Sequence, residues 1–440
     1  MLGVVASRAD EASVRIAERL RAVADWEQTA DDGPAGWRTD GAELREIEAI
    51  HVEMADPAPL FSADPDLVAV VSRHAGDTGR LLTAHHTGNV GPADYGGEPR
   101  SFAPAAPAAH RRALRALADH APDGYAVGTE ATHHGPTDVS VPFLFVELGS
   151  DEAQWRDDAA AEAVARATLA LRGVDPLTER SVAVFGGGHY APRVERLVRE
   201  TDWSVGHVAP DWGIDRLDSL AARVETFERL LAASGTRRAL VDGERGDLTG
   251  ALDRAGARVV SETWLRETDG VALALVDRIE SALGRVADGV RFGARARDAD
   301  ATVDVETRAL PPGLAEAAGG VDAAAASEAV AGEALAYGTT DGGSRPAGRV
   351  ALADPVAYDR IVAELADVLR AQYDDVTVNA DRVVARRLAF DPERARTLGI
   401  PEGPAFGRLA DGETVEVRGE RVPPEQVSRE RVDEFEIPDR

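Results

Sequence analysis

Between Gly128 and Ser150 the chain reads GTEATHHGPTDVSVPFLFVELGS, and this stretch narrows the folds open to it. Two adjacent histidines, His133 and His134, stand in a turn-like THHGP segment between two apolar runs. Glu130 precedes them, Asp138 follows, and Glu147 closes the second run, so five ionisable groups fall within eighteen residues. In Val139–Glu147 the odd positions are Val139, Val141, Phe143, Phe145 and Glu147. A strand of period two therefore points Glu147 the same way as four apolar side chains. A carboxylate in that place requires a partner, either an arginine or a metal-bound histidine. Downstream, SVAVFGGGHYAPR repeats the design: a β-rich run, then Gly186, Gly187 and Gly188, then His189. The two segments read as two walls of one site, with its chemistry at the end of a sheet.

The surrounding chain supplies that sheet. Leu2–Ala6 is a short apolar strand, and Ser7 is placed to cap a helix carrying Val14, Ile16, Ala17 and Leu20 at helical spacing. An opening β-turn-α predicts a doubly wound α/β sheet. Residues 29–41 read as a loop, and Arg45–Glu53 as an alternating strand whose His51 is a surface or internally satisfied residue. Leu67–Ser72 is a continuous apolar run, expected in a central strand covered on both faces, and it delivers Arg73 and His74 to its C-terminal end. LLTAHH ends in His85 and His86, and Gly91–Pro107 reads as an active-site loop. Ala108–Ala118 is an amphipathic helix with Arg111, Arg112 and Arg115 on its polar side, a candidate phosphate contact. Gly124–Glu130 is expected as a strand and Asp151–Leu171 as one long helix. His207 follows a short strand, and helices and strands alternate to Ser261.

Composition limits the chemistry. The 77 acidic residues outnumber 49 basic ones, all arginine, for a net charge of -28, while 44% apolar residues exclude a disordered chain. Such a surface suits molar salt, where a Debye length of roughly 3 Å at about 1 M screens self-repulsion. With no cysteine, thiolate sites are excluded, and a metal must be held by His, Asp or Glu. No basic n-region opens the chain, and no run of some 18 apolar residues occurs, so a soluble cytoplasmic protein is expected.

Several strings occur together in order: SRH (Ser72–His74), HHTGN (His85–Asn89), YGG (Tyr95–Gly97), EATHHGP, FVELGS, GGGHYAP and GHVAP (Gly206–Pro210). Across roughly residues 1–275 the chain thereby resembles the archaeal and plant type of D-aminoacyl-tRNA deacylase. The resemblance implies a three-layer α/β domain of phosphorylase or peptidyl-tRNA-hydrolase type, with helices on both faces of the sheet. It also implies hydrolysis of the D-aminoacyl-tRNA ester and dependence on zinc, as one ion or two. Neither DNA nor a membrane is an expected partner, and the chain is expected to be a monomer.

That ester is labile, so an enzyme must position a water, stabilise an oxyanion and select its substrate. One route is a divalent ion that brings a water's pKa to about 7. His85, His133, His134 and His189 are the candidate ligands, with Glu130 in reach and Glu147 to orient one of them; His133, His134, Glu130, His189 and Glu147 form the candidate catalytic set. His133 or His134 is then a general base or a ligand. The amides of Gly186, Gly187 and Gly188 are the candidate oxyanion or phosphate site. Thr87, Asn89, Arg111, Arg112 and Arg193 complete the candidate substrate contacts. The rival readings are a nucleoside-phosphorylase-like enzyme, which the glycine loop would suit, and a non-catalytic RNA-binding protein.

Residues 276–440 are expected to form a small α+β appendage. No histidine occurs beyond His207, and residues 314–336 are dominated by Ala, Gly and Glu. VRFGARA and ATVDVET look β-like, Pro355–Tyr373 helical, and VTVNADRVVARRLAF β-like again. The run LGIPEGPAFGRLADGETVEVRGERVPPEQV looks like a segment of tRNA 3′-end-processing endonucleases of the metallo-β-lactamase type. Their HxHxDH string is absent, so their activity is not carried over, but a tRNA-facing appendage is expected.

Overall fold

A computed structural model describes residues 1–29 and 34–438. The chain divides into two compact units, Met1–Leu265 and Arg266–Arg440. The strands of the first unit are β1 (Leu2–Ser7), β2 (Glu27–Gln28), β3 (Gly36–Thr39), β4 (Ala42–Ile47), β5 (Leu67–Arg73), β6 (Leu81–His85), β7 (Gly88–Asn89), β8 (Ser101–Phe102), β9 (Ala126–Thr129), β10 (Phe143–Gly149), β11 (Ser181–Phe185), β12 (Ser204–Ala209), β13 (Arg238–Val241) and β14 (Arg258–Val260). Its helices are α1 (Glu11–Val23), α2 (Pro107–His120), α3 (Glu152–Trp155), α4 (Asp158–Leu169), α5 (Pro192–Glu200), α6 (Asp211–Ile214), α7 (Leu220–Ala233) and α8 (Gly246–Arg254).

The large sheet is mixed, in the order β2-β3-β4-β1-β5-β10-β6-β9. Its centre, β4-β1-β5-β10, is parallel, and β1 and β10 are buried at every residue, as continuous apolar runs require. β6 joins β10 antiparallel, with His85 opposite Phe145 and Thr83 opposite Glu147. Glu147 is also in register with Ser72 of β5. Ser72, Glu147, Thr83 and His85 therefore project from one face, which continues into an apolar core of Val68, Val70, Phe143 and Phe145. The candidate side chains Glu147 and His85 lie on this face because the antiparallel β6 brings His85 alongside β10, while His74 follows the C-terminal end of β5. A second, parallel sheet has the order β12-β11-β13-β14. The segment between β9 and β10 joins the two: Ala131 N donates to His189 O and Thr132 N to Val208 O.

Several local expectations shift. Asp10, not Ser7, caps α1, its carboxylate accepting from Ala12 and Ser13 amides; aspartate at this position also favours the helix dipole. Within the expected 29–41 loop, Gly36–Thr39 is a strand paired with β4, and residues 30–33 lie outside the described part. β4 ends at Ile47, and His51 is buried in a short 3-10 turn beside Phe145. β10 begins only at Phe143. The long helix breaks where Asp157 turns its carboxylate onto the amides of Ala159 and Ala160, a new N-cap inside an Ala-rich run.

The second unit packs helices Pro312–Val321, Ala323–Glu333 and Pro355–Leu369 around Leu314, Val330, Tyr358 and Ile361. An antiparallel four-stranded sheet contains Arg291–Phe292, Ala336–Thr340, Arg345–Leu352 and Glu306–Ala309. A three-stranded sheet of Asp375–Val378, Arg382–Phe390 and Ser428–Glu436 follows. The β-like reading of VRFGARA holds only for its Arg-Phe pair, since Ala294–Asp298 is helical, and ATVDVET becomes a strand only at Glu306. Among the described residues no helix is long and apolar enough to cross a membrane.

Three buried histidines brace the junction of the sheets. His86 Nδ1 donates to Gly206 O at 3.0 Å, and His110 Nε2 reaches Ala84 O at 3.1 Å. His207 Nε2 donates to Ala103 O at 2.9 Å while Nδ1 accepts from the Thr132 hydroxyl at 3.1 Å, a pairing that requires the neutral ring. Burial holds His110 and His207 down to about 4. Below pH 6.5 the unfolded chain binds protons that these folded rings refuse, so their stabilisation is full above 6.5 and lost toward pH 4. Denaturant unfolding between pH 7 and 5.5 should show wild type losing about 1 kcal/mol more than His110→Gln.

Candidate active site

Glu147 on β10 and Glu130 after β9 are both buried, and the histidines are arranged around them. Ser72 Oγ donates to Glu147 Oε1 at 2.7 Å. His85 Nε2 lies 3.5 Å from the same oxygen, and His74 Nδ1 lies 3.7 Å from Oε2. His74 Nδ1 is also 3.2 Å from Glu130 Oε1, and His189 Nε2 is 2.8 Å from Glu130 Oε2. His133 Nε2 approaches Glu130 Oε2 to 3.9 Å. The far nitrogen of His74 meets the Tyr190 hydroxyl at 2.9 Å. His85 packs with ring centroids 4.5 Å from His133 and 5.0 Å from His134.

The rings are held in one tautomer by the backbone. His85 Nδ1 donates to His86 O at 3.1 Å, His133 Nδ1 to Ala131 O at 2.8 Å and His134 Nδ1 to Gly135 O at 2.6 Å. His133 and His134 are left with Nε2 as a free lone pair, the arrangement that second-shell carbonyls impose on ligating imidazoles, while Nε2 of His85 faces Glu147. The adjacent His133 and His134 face one centre because His134 takes a left-handed backbone conformation, φ 47°. Gly135 allows this turn to pack tightly, since a Cβ there would lie 2.5 Å from Gly97 N.

The electrostatics divide the site. Burial opposes a charge on His74, but Glu130 and Glu147 outweigh it and raise the pKa to about 11. Burial likewise opposes charge on His85, yet Glu147 raises it. Burial and the charge on His85 push His133 down to about 4, and burial with its two neighbours pushes His134 well down. Burial opposes ionisation of both carboxylates, but His189 and His74 hold Glu130 well below its usual range, and His74 and His85 do the same for Glu147. The result is two buried anions sharing a cationic imidazole, beside two neutral rings with free lone pairs.

Three groups can hold a cation: His85, His133 and His134; Glu130, His133 and His189; and His74, Glu130 and Glu147, with ligand atoms in each within 4.8 Å of one another. His85 Nε2 and Glu130 Oε1 are fully buried, and their ion-pair contacts to Glu147 and His74, at 3.5 and 3.2 Å, lack hydrogen-bond geometry. Orphaned polar atoms of this kind fit a metal as the missing neighbour. The set is nitrogen and oxygen only, which suits a catalytic divalent ion.

His85, Glu130, His133, His134, Glu147 and His189 thus converge. Thr87 and Asn89 stand one step back: the Thr87 hydroxyl donates to Pro136 O, and the Asn89 amide to Gly96 O and Glu98 O. Gly186 N donates to Ala209 O and Gly187 N to the Asp211 carboxylate, with Asp242 close by. Arg193 pairs with Glu262 and Asp242. Arg111 bonds Asp202 and Thr201 O, and Arg112 bonds Ala170 O. Sequence reasoning left out Ser72, His74 and Tyr190. Their signals were the SRH and GGGHYAP strings, but burial of His74 between two carboxylates from distant segments has no trace in local sequence.

Relatives match this chain over nearly its whole length. A family model described as D-aminoacyl-tRNA deacylase matches residues 61–260. The D-aminoacyl-tRNA deacylase of Natronomonas pharaonis is 50% identical over 99% of this chain and 100% of its own. That of Halorubrum lacusprofundi is 48% identical over 99% and 97%. The chain belongs to the D-aminoacyl-tRNA deacylase family. A crystal structure of a conserved protein of unknown function, AF0625, is similar at 28% identity and TM-score 0.54, over 59% of this chain and 95% of that one. Deacylase relatives therefore extend over both units, whereas the AF0625 likeness covers a length close to the first unit alone.

Glu147→Ala would leave two buried imidazoles without their anion. Equilibrium unfolding should show a loss of about 3–5 kcal/mol, as for other broken buried pairs. Glu147→Gln, which keeps an acceptor for Ser72, should lose less.

Proposed function

We propose that this chain hydrolyses the ester joining a D-amino acid to tRNA, releasing both and counteracting misacylation. The carrying observation is the convergence of five histidines and two buried carboxylates in a chain whose full-length relatives are named for this reaction.

In this reading His133 and His134, with His85, would hold one zinc ion through Nε2, and His133 would serve that ion and not a second one with Glu130 and His189, because its Nδ1 is engaged by Ala131 O. When bound, such an ion supplies Lewis-acid polarisation of the ester carbonyl and a more acidic water. The carbonyl of His86 orients His85 through Nδ1, Glu147 lies 3.5 Å from its Nε2, and the cationic His74 keeps both carboxylates ionised. His189 is half-exposed and hydrogen-bonded to Glu130, which orients its ring as a carboxylate does in a catalytic triad. It takes the proton of the attacking water and returns it to the departing ribose oxygen. Gly188 is the remaining loop amide for the oxyanion, since those of Gly186 and Gly187 are engaged. The arginines beside this loop, Arg193 and Arg245, are already paired with Asp242 and Asp211 and so offer no free cation to a phosphate, which favours hydrolysis over phosphorolysis. We further assign a three-layer arrangement to the first unit and a tRNA-facing role to the second.

D-Tyr-tRNA should be deacylated in molar KCl and L-Tyr-tRNA spared, and a chelator should abolish the activity. D-selective hydrolysis that survives chelation would move catalysis to His189 and its neighbours. Absence of any D-selectivity would sink the proposal.

A further inference from the structure

The chain contains 22 aromatic residues, six Trp, six Tyr and ten Phe. Only two of them, Tyr95 at 74% and Trp212 at 43%, are exposed, and both flank the site. Single exposed apolar side chains need no explanation, but two aromatic rings on touching segments beside one ionisable cluster do.

Both rings are carried on anchored backbone. Tyr95 O accepts from Gly135 N at 3.0 Å, one residue from His134. The glycines after it are fastened by Asn89 Nδ2 donating to Gly96 O at 2.9 Å and by Glu98 N donating to the Thr137 hydroxyl at 2.8 Å. A Cβ on Gly96 would lie 2.2 Å from Val52 O, so this turn admits only glycine. Trp212 follows Asp211, whose N donates to Gly187 O at 2.9 Å and whose carboxylate accepts from Gly187 N at 3.1 Å. The two segments touch: a Cβ on Gly213 would lie 2.9 Å from the Val90 side chain, and Arg216 bonds Asp94 at 2.7 Å. One ring is thus fastened to the histidine turn and the other to the glycine loop.

The nearby cations offer little to phosphate. Arg216 is paired with Asp94, and Arg245 with Asp211, Asp215 and Asp247. At molar salt, counterion-release binding is also weak. Aromatic faces bind unpaired bases without regard to sequence. We propose that Tyr95 and Trp212 are a stacking platform for the unpaired 3′-terminal bases of the acceptor strand, holding the aminoacyl ester over the histidine cluster. This rests on the function proposed above and names the part of the substrate that the site grips.

The test is equilibrium binding of uncharged tRNA in molar KCl, comparing the intact 3′ end with one trimmed of its last three nucleotides. Wild type should bind the intact end at least fivefold more tightly, the factor for about 1 kcal/mol of stacking. Tyr95→Ala and Trp212→Ala should each reduce that preference at least threefold, and Tyr95→Phe and Trp212→Phe should keep it. No preference in wild type, or a preference unchanged in both Ala variants, would overturn the platform. Loss in the Phe variants as large as in the Ala variants would also overturn it, since the faces would not be what matters. Binding is read without turnover, so failure of the hydrolase reading would appear separately, in the D-Tyr-tRNA assay.

Discussion

The site depends on one electrostatic arrangement: two carboxylates, Glu130 and Glu147, buried together and sharing the imidazolium of His74 between them. Two anions this close cannot both stay charged in a poorly solvated place without a cation. His74 supplies it from the end of β5, and Ser72, two residues earlier, donates to Glu147. The remaining oxygens are thereby aimed at His85, His133 and His189. The ionised carboxylates in turn hold the rings in place, so the geometry of the candidate site and its local stability rest on the same set of contacts.

The sheet makes this possible by mixing directions. Parallel β5 and β10 align Ser72 with Glu147, while antiparallel β6 brings His85 under the same face from the opposite direction. The connection from β9 to β10 then crosses above, carrying Glu130, His133 and His134, and its backbone is tied to His189, in the loop after β11, and to Val208 of β12. The apolar core of Phe143, Phe145, Val68 and Val70 is continuous with the site. Charge is concentrated at the margin of that core, where the low dielectric strengthens each interaction and makes any unpaired member costly. The two exposed rings stand at the outer edge of the same construction, on the turns that hold His134 and the glycine loop.

Much of the site could be read in the linear chain. The vicinal histidines, Glu130, Glu147 and the glycine-histidine string are local patterns, and apolar runs around them predicted strands because a buried strand must be apolar on both faces. The need for a partner to Glu147 also followed from alternation alone. Less legible were the caps. Ser7 and Asp10 are both competent, and Asp10 prevailed because its carboxylate reaches the amides of Ala12 and Ser13, the second and third helical residues, and also accepts from Arg73 N. Asp157 interrupts an Ala-rich run for a similar reason.

The sequence by itself determined the inventory: oxygen and nitrogen ligands without sulfur, an acidic surface whose only cations are arginines, an α/β order of elements, and which segments carry chemistry. Tertiary structure decided the roles. It made His74 the central cation, turned Gly186 and Gly187 onto Ala209 and Asp211, drew Arg193 to Asp242 and Glu262, and left Tyr95 and Trp212 facing solvent. Burial and charge pairing are properties of residues far apart in the chain, so local sequence names the groups but does not say which of them will meet.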